Sequence, residues 1–225
     1  MYAVLQSPEC PRVPLSLLSL RAFMTDFDTL TDTEKLEALL AAGIVANEQD
    51  ADEHALECFA KAAELAPRDA RAFHLAAATW AKHGQTDAAG DAFREALLRA
   101  PDLHIARFQW GLMQYDETTM SGAAATWEPL LHLPENDPLR LFAQGLLTIP
   151  IGNIEAAIAQ IEAGIAANRI NAPLNTDMAQ IVERLRPLLA ASAPEAPSDG
   201  TEAGAPDDAE HFLLGAYRDP DQPLH

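Results

Sequence analysis

Apolar residues recur three and four positions apart along most of the chain, and glycine or proline interrupts them at near-regular intervals. Residues three and four apart share one face of a helix, so each run predicts an amphipathic helix and each interruption a turn. The clearest stretch is Ala70 to Leu103. Phe73, Ala76, Ala77 and Trp80 line one side of a first helix, Gly84 breaks the chain, Ala89, Phe93 and Ala96 mark the inner side of a second, and Pro101 closes the unit. Its period is 34 residues, and the same period fits the stretches on either side. Residues 36–69 place Leu39, Ala42, Gly43, Ala55, Phe59, Ala62 and Pro67 in register, with Ala46 where a large aromatic is expected. Residues 104–137 supply Trp110, Gly111, Ala123 and Trp127, and residues 138–171 supply Leu141, Gly145, Gly152, Ala157 and Ile161.

Departures from the register are informative. Thr118 stands where a turn glycine is usual, and Pro129 falls inside a second helix, where a missing amide predicts an irregularity between Trp127 and Pro134. Thr31 and Glu34 form a capping-box pattern that predicts a helix start. After Pro173, the residues Leu174, Met178, Ile181, Leu185 and Leu188 predict a capping helix over 172–190, which shields the end of a repeat array from water. Residues 191–210 are rich in Ala, Pro, Gly, Ser and acid and read as a disordered linker. An apolar tail motif follows at 211–225, with Phe212, Leu213, Leu214 and Tyr217 just beyond Asp207, Asp208 and Glu210. At the other end, Pro8, Pro11 and Pro14 interrupt residues 1–30, which read as a flexible leader; Arg12 before the run Leu15 to Leu20 admits a weak secretory signal, and Met24 an alternative start.

Four such units in unbroken register resemble the tetratricopeptide repeat, a helix-turn-helix unit of about 34 residues. The resemblance implies an all-α, right-handed α-solenoid with a C-terminal capping helix. It also implies that the first helix of each repeat lines a concave, peptide-binding groove. Projected onto this chain, the groove positions are Ile105, Phe108, Leu112, Tyr115 and Asp116 in the third repeat and Leu139, Phe142, Leu146 and Ile149 in the fourth, an apolar surface suited to an apolar peptide. The same residues fit a second reading, as core on a rotated helix. In the first two repeats the positions are mixed: Glu37, Leu40, Ile44, Asn47 and Glu48, then Arg71, His74, Ala78 and Lys82. Some members of the family grip a terminal carboxylate with groove cations, but Leu40 and Ile44 stand in the corresponding places here.

Charge narrows the choice of partner. With 15 Lys and Arg against 34 Asp and Glu, the net charge is −19, which disfavours phosphate backbones and acidic tails. Cys10 and Cys58 form no metal or redox spacing, and no run is long enough to cross a bilayer, which fits a cytoplasmic setting. Glu53, His54, Glu57 and Cys58 sit one turn apart on a helix whose core face is already explained, too few ligands for a closed site. No phosphate loop or nucleophile elbow occurs. The expectation is therefore a scaffold, adaptor or chaperone without catalysis, cofactor or metal, whose groove takes a partner's apolar segment or its own tail. The alternatives are a secretion-type chaperone for a hydrophobic exported protein and an accessory subunit of an envelope or polysaccharide assembly.

Overall fold

Nine α-helices account for most of the described residues, which in this computed structural model are 27, 29–115 and 121–192. The leader up to residue 26, Asp116, Thr118, and the linker and tail from residue 193 onward lie outside them. The helices are α1 (Asp32–Glu48), α2 (Asp52–Leu65), α3 (Ala70–Lys82), α4 (Thr86–Arg99), α5 (His104–Met113), α6 (Ser121–Trp127), α7 (Pro138–Thr148), α8 (Ile154–Ala167) and α9 (Ala172–Ser192). No strand occurs among the described residues, so the all-α expectation holds. Chain contacts divide the molecule into two compact units, residues 1–80 with 87–101, and residues 81–86 with 102–225.

In the first unit, α1 packs on α2 around Leu36, Leu40, Ala46, Ala55, Phe59 and Ala62. Its entry is the capping box read from the sequence: the Thr31 amide donates to Glu34 Oε2 at 2.8 Å and the Glu34 amide donates to Thr31 Oγ1 at 3.3 Å. The Thr31 amide, together with the Thr31 hydroxyl that donates to the same oxygen at 2.8 Å, holds the Glu34 carboxyl below its ordinary range. Farther along, the Arg99 guanidinium lies 3.8 Å from the centre of the Phe73 ring while its Nε donates to the Pro67 carbonyl at 2.6 Å, tying α4 back to α3 and to the closing proline.

The second unit contains two further hairpins and the terminal helix. α5 packs on α6, α7 on α8, and α9 on α8. Where Pro129 enters, α6 ends after seven residues and the chain continues as a 3-10 turn over Glu128–His132, because a proline nitrogen has no hydrogen to donate to the preceding turn. Asp137 then caps α7, its Oδ1 accepting from the Leu139 amide at 2.9 Å, with Pro138 in the first turn. No proline closes the fourth hairpin. Instead buried Asn168 donates through Nδ2 to the Asn171 carbonyl at 3.0 Å and accepts the Asn171 amide on Oδ1 at 3.2 Å, while Asn175 Nδ2 donates to the Asn168 carbonyl at 2.9 Å. These bonds join the end of α8 to the start of α9.

A single packing rule recurs through both units. Ala55, Ala89, Ala123 and Ala157 stand 34 residues apart and all are fully buried. Large side chains occupy a second such series, Phe59, Phe93, Trp127 and Ile161, each buried. Opposite them the first helices present Gly43, Ala77, Gly111 and Gly145; a β-carbon at Gly145 would come within 2.6 Å of Ile161 Cγ1, and one at Gly43 or Gly111 would collide with the edge of the Phe59 or Trp127 ring. The hairpin therefore closes by seating one bulky side chain of the second helix on a bare spot of the first.

The turn between helices keeps its own register. Gly84 and Gly152 adopt the left-handed region at φ 66° and 82°, and Asp50, 34 residues before Gly84, adopts it at 55°, the only non-glycine residue among those described to do so. A β-carbon at Gly152 would meet no atom within 4 Å, so substitution there tests backbone conformation alone. Gly152→Ala is expected to lower stability by about 1–2 kcal/mol, the cost of an L-residue in left-handed helical geometry. Urea denaturation reads it; an unshifted midpoint would show that the turn adopts another conformation without loss.

Candidate functional site

Of the nine groove positions projected in the third and fourth repeats, all but Asp116, which lies outside the described residues, fall in or against one core. Phe108 is fully buried, stacked on Trp127 with ring centres 5.6 Å apart and in tilted contact with Phe142 at 6.0 Å. Trp127 Nε1 donates to the Phe108 carbonyl at 2.9 Å, and the Tyr115 hydroxyl donates to the Leu146 carbonyl at 2.8 Å, so both polar atoms of these buried aromatics are satisfied. Phe142 in turn covers Gly164 of α8: a β-carbon there would come within 2.5 Å of Phe142 Cε1.

Phe108, Tyr115, Phe142, Leu146 and Ile149 are therefore core, and their projection as open groove residues is corrected. The cause is the repeat register itself. Phe108 and Phe142 stand two and three periods after buried Leu40, and the contact of His74 with Phe93, ring centres 6.3 Å apart, recurs one period later as Phe108 on Trp127; Tyr115 and Ile149 follow buried Ala81 by one and two periods. A charge at Phe108 or Leu146 would thus unfold the unit rather than report on a ligand.

Ile105, Leu112 and Leu139 differ from these five. Each is only partly buried, leaning on the core with one side and leaving the other in solvent, and Leu147 of α7 does the same. α5 and α7 pack against each other, so this helix pair carries four partly exposed apolar side chains. Neither helix contains an Asp or Glu; α5 carries His104 and Arg107, and α7 carries Arg140, whose Nη1 donates to the Leu133 carbonyl at 2.6 Å. α3 is likewise free of acid, with Arg71 and Lys82. Acid lies on other helices: α2 has Asp52, Glu53, Glu57 and Glu64 against Lys61, α4 has Asp87, Asp91 and Glu95 against Arg94 and Arg99, α8 has Glu155 and Glu162, and the first helix α1 has Asp32, Glu34, Glu37 and Glu48 against Lys35, while α6 has no charge. Periodicity of apolar residues gave no hint that α3, α5 and α7 are free of acid, although it is visible once the charges are counted helix by helix.

In the first unit the mixed positions are partly used up internally. Leu40 is core, and Glu37 accepts from Arg71 at 2.8 and 3.1 Å while Asp69 accepts from the same guanidinium, which holds the Asp69 carboxyl below its ordinary range. Glu37 and Arg71 occupy one repeat position a period apart, so this bridge fastens α1 to α3.

The set Glu53, His54, Glu57 and Cys58 stays a pair of loose contacts. His54 Nε2 lies 3.9 Å from the Cys58 sulfur and His54 Nδ1 3.9 Å from Glu57, and among the described residues no three His, Cys, Asp or Glu side chains converge as a metal site. Burial pushes the Cys58 thiol up from its ordinary range, away from a reactive thiolate. Phe212, Leu213, Leu214 and Tyr217 lie outside the described residues.

No protein-family model matches the chain, and no curated protein matches it. Among solved structures, the crystal structure of MamA superposes on 69% of this chain and 96% of its own, with 17% sequence identity and a TM-score of 0.47. At that level of likeness nothing of MamA's function transfers, and the helical-repeat fold rests on this chain's own packing. No described helix is long and apolar enough to cross a membrane.

Proposed function

We infer that this protein is a protein-interaction scaffold or adaptor that captures an apolar peptide segment on the surface formed by α5 and α7. The observation that carries the reading is that Ile105, Leu112 and Leu139 stay partly exposed on two touching helices without acid, in a chain of net charge −19. Apolar surface left in contact with water gains free energy when a ligand covers it, about 25 cal/mol for each Å² removed from water. With cations and no acid on these helices, a ligand whose apolar residues are flanked by acid is favoured there over the net-negative helices α2, α4 and α8. Chaperone action on an exported hydrophobic protein would use the same surface. Anchoring through an outer apolar face has less support, because the exposed large hydrophobic residues Val45, Leu98, Ile151, Ile170 and Leu188 each stand on a different element.

Panning the full chain against random peptides tests the reading. Enriched sequences are expected to pair an apolar cluster with neighbouring Asp or Glu, and to lose at least about tenfold in affinity, roughly 1.4 kcal/mol, against Leu112→Glu/Leu139→Glu. That variant should keep its helical content, since both side chains are partly exposed. Enrichment of basic peptides, or binding indifferent to the substitutions, would contradict it.

A further inference from the structure

Charge is not spread evenly over the hairpins. Residues 31–66, which form α1, α2 and their turn, hold nine Asp and Glu against two Lys, a net charge of −7, while residues 67–101 hold four acids against five Lys and Arg. The acidic hairpin also keeps one helix face open. Ala38, Ala41, Ala42 and Val45 follow the spacing i, i+3, i+4 and i+7 and so share one side of α1. Ala38 and Ala42 are partly buried, Ala41 is exposed and Val45 is 50% exposed.

The next repeat shows how this face is used. One period later the same positions on α3 are Ala72, Leu75, Ala76 and Thr79, and there the face is closed: Ala72 is 1% exposed, Thr79 is fully buried, and Ala72, Leu75 and Ala76 pack into the core of α1 and α2. It is the side by which a first helix seats itself on the hairpin before it. On α1 the same side carries three alanines and a valine half in water. We propose that this face of α1 docks a helix of a partner protein, whose apolar stripe is bordered by Lys and Arg and which takes the place a preceding hairpin would fill. The inference goes beyond capture on α5 and α7, because it gives the scaffold a second surface, on the other compact unit and with the opposite charge preference.

Charge complementarity selects that occupant. Glu34 stands one turn before the apolar residues and Glu48 one turn after them, on the same side of α1; Lys35 is the one cation of the helix, and Glu37 on the flank is already bonded to Arg71. Glu34 keeps its charge within the capping box, since its partners there, the Thr31 amide and hydroxyl, are neutral donors. A basic helix is thus attracted to the whole hairpin and meets an acid at each end of its apolar contact. A second copy of this chain would bring the same acids against these, and like charge disfavours it. Side-chain size at a helix contact sets how closely two helices approach, so the three alanines suit a partner helix lying close along α1.

The test uses the full chain and a labelled synthetic helical peptide of about five turns, with Leu and Ala along one side and Lys on the others. Fluorescence anisotropy should show the peptide binding the native chain and losing at least about tenfold in affinity against Ala41→Glu/Val45→Glu. That variant is more acidic than the native chain, so an association driven by charge alone would tighten. The sign of the change therefore separates docking from charge attraction. Both side chains are exposed and glutamate is a good helix former, so the circular dichroism of the variant should match the native chain. A twin peptide with Glu for Lys should not bind, and Leu112→Glu/Leu139→Glu should leave the affinity unchanged, which keeps the fate of this surface apart from that of α5 and α7. No binding by the native chain, equal or tighter binding by Ala41→Glu/Val45→Glu, or equal binding of the Glu twin overturns the proposal. Loss of affinity in Leu112→Glu/Leu139→Glu instead would place the peptide on α5 and α7 and overturn it too. Light scattering covers the remaining occupant: a native chain that dimerises, and ceases to with Ala41→Glu/Val45→Glu, would place a second copy on this face and overturn the basic partner.

Discussion

Replacing Trp127 with alanine should destabilise the second unit by about 3–5 kcal/mol, the range for truncating a large buried aromatic. Trp127 is fully buried, stacks on Phe108, touches the Tyr115 ring at 5.8 Å and donates its indole hydrogen to the Phe108 carbonyl. Truncation removes all of these at once and leaves a cavity between α5 and the chain after α6. A subtler variant, Trp127→Phe, keeps most of the apolar volume but removes the indole donor from the Phe108 carbonyl, which keeps its bond within the helix, at about 0.5–1.5 kcal/mol. Urea denaturation followed by far-ultraviolet circular dichroism measures both. Equal midpoints for wild type and Trp127→Ala would mean that Trp127 does not hold the hairpin together.

Gly111→Val should destabilise by about 3 kcal/mol, at the upper end of overpacking costs, because any β-carbon at that position enters the Trp127 indole. Relief has no easy route: the ring is pinned on one side by Phe108 and at its nitrogen by a backbone carbonyl. The two positions share one contact, so their effects should not add. In the double variant Gly111→Val/Trp127→Ala, valine grows into the space that the indole vacates, and the combined loss should fall short of the sum of the single losses. Strict additivity would show that the glycine and the indole do not pack together.

Most of this architecture was legible from one period. The Ala70 to Leu103 unit located Gly43, Gly111 and Gly145 by arithmetic, and each lies against the bulky residue sixteen positions later. Pro129 announced the 3-10 turn because a missing donor acts locally, whatever surrounds it. Which side of each first helix is core was not legible. The position that His74 and Phe108 share lies against Phe93 in one repeat and Trp127 in the next, a contact 19 residues apart that apolar periodicity within one helix cannot announce. The Asn168, Asn171 and Asn175 closure also escaped notice, since the sequence gives no signal that three amides replace the proline of earlier repeats. Asp50 was overlooked for a related reason: its left-handed conformation is inherited from the repeat register rather than announced by a glycine.

Where the peptide lands is the most direct question to put to the molecule. Titrating an enriched acid-flanked apolar peptide into the isotope-labelled full chain, and following backbone amide resonances, should shift signals along α5 and α7 near Ile105, Leu112, Leu139 and Arg140, while those of α4 and α8 stay in place. Shifts confined to α4 and α8, with α5 and α7 silent, would contradict capture by the acid-free helix pair.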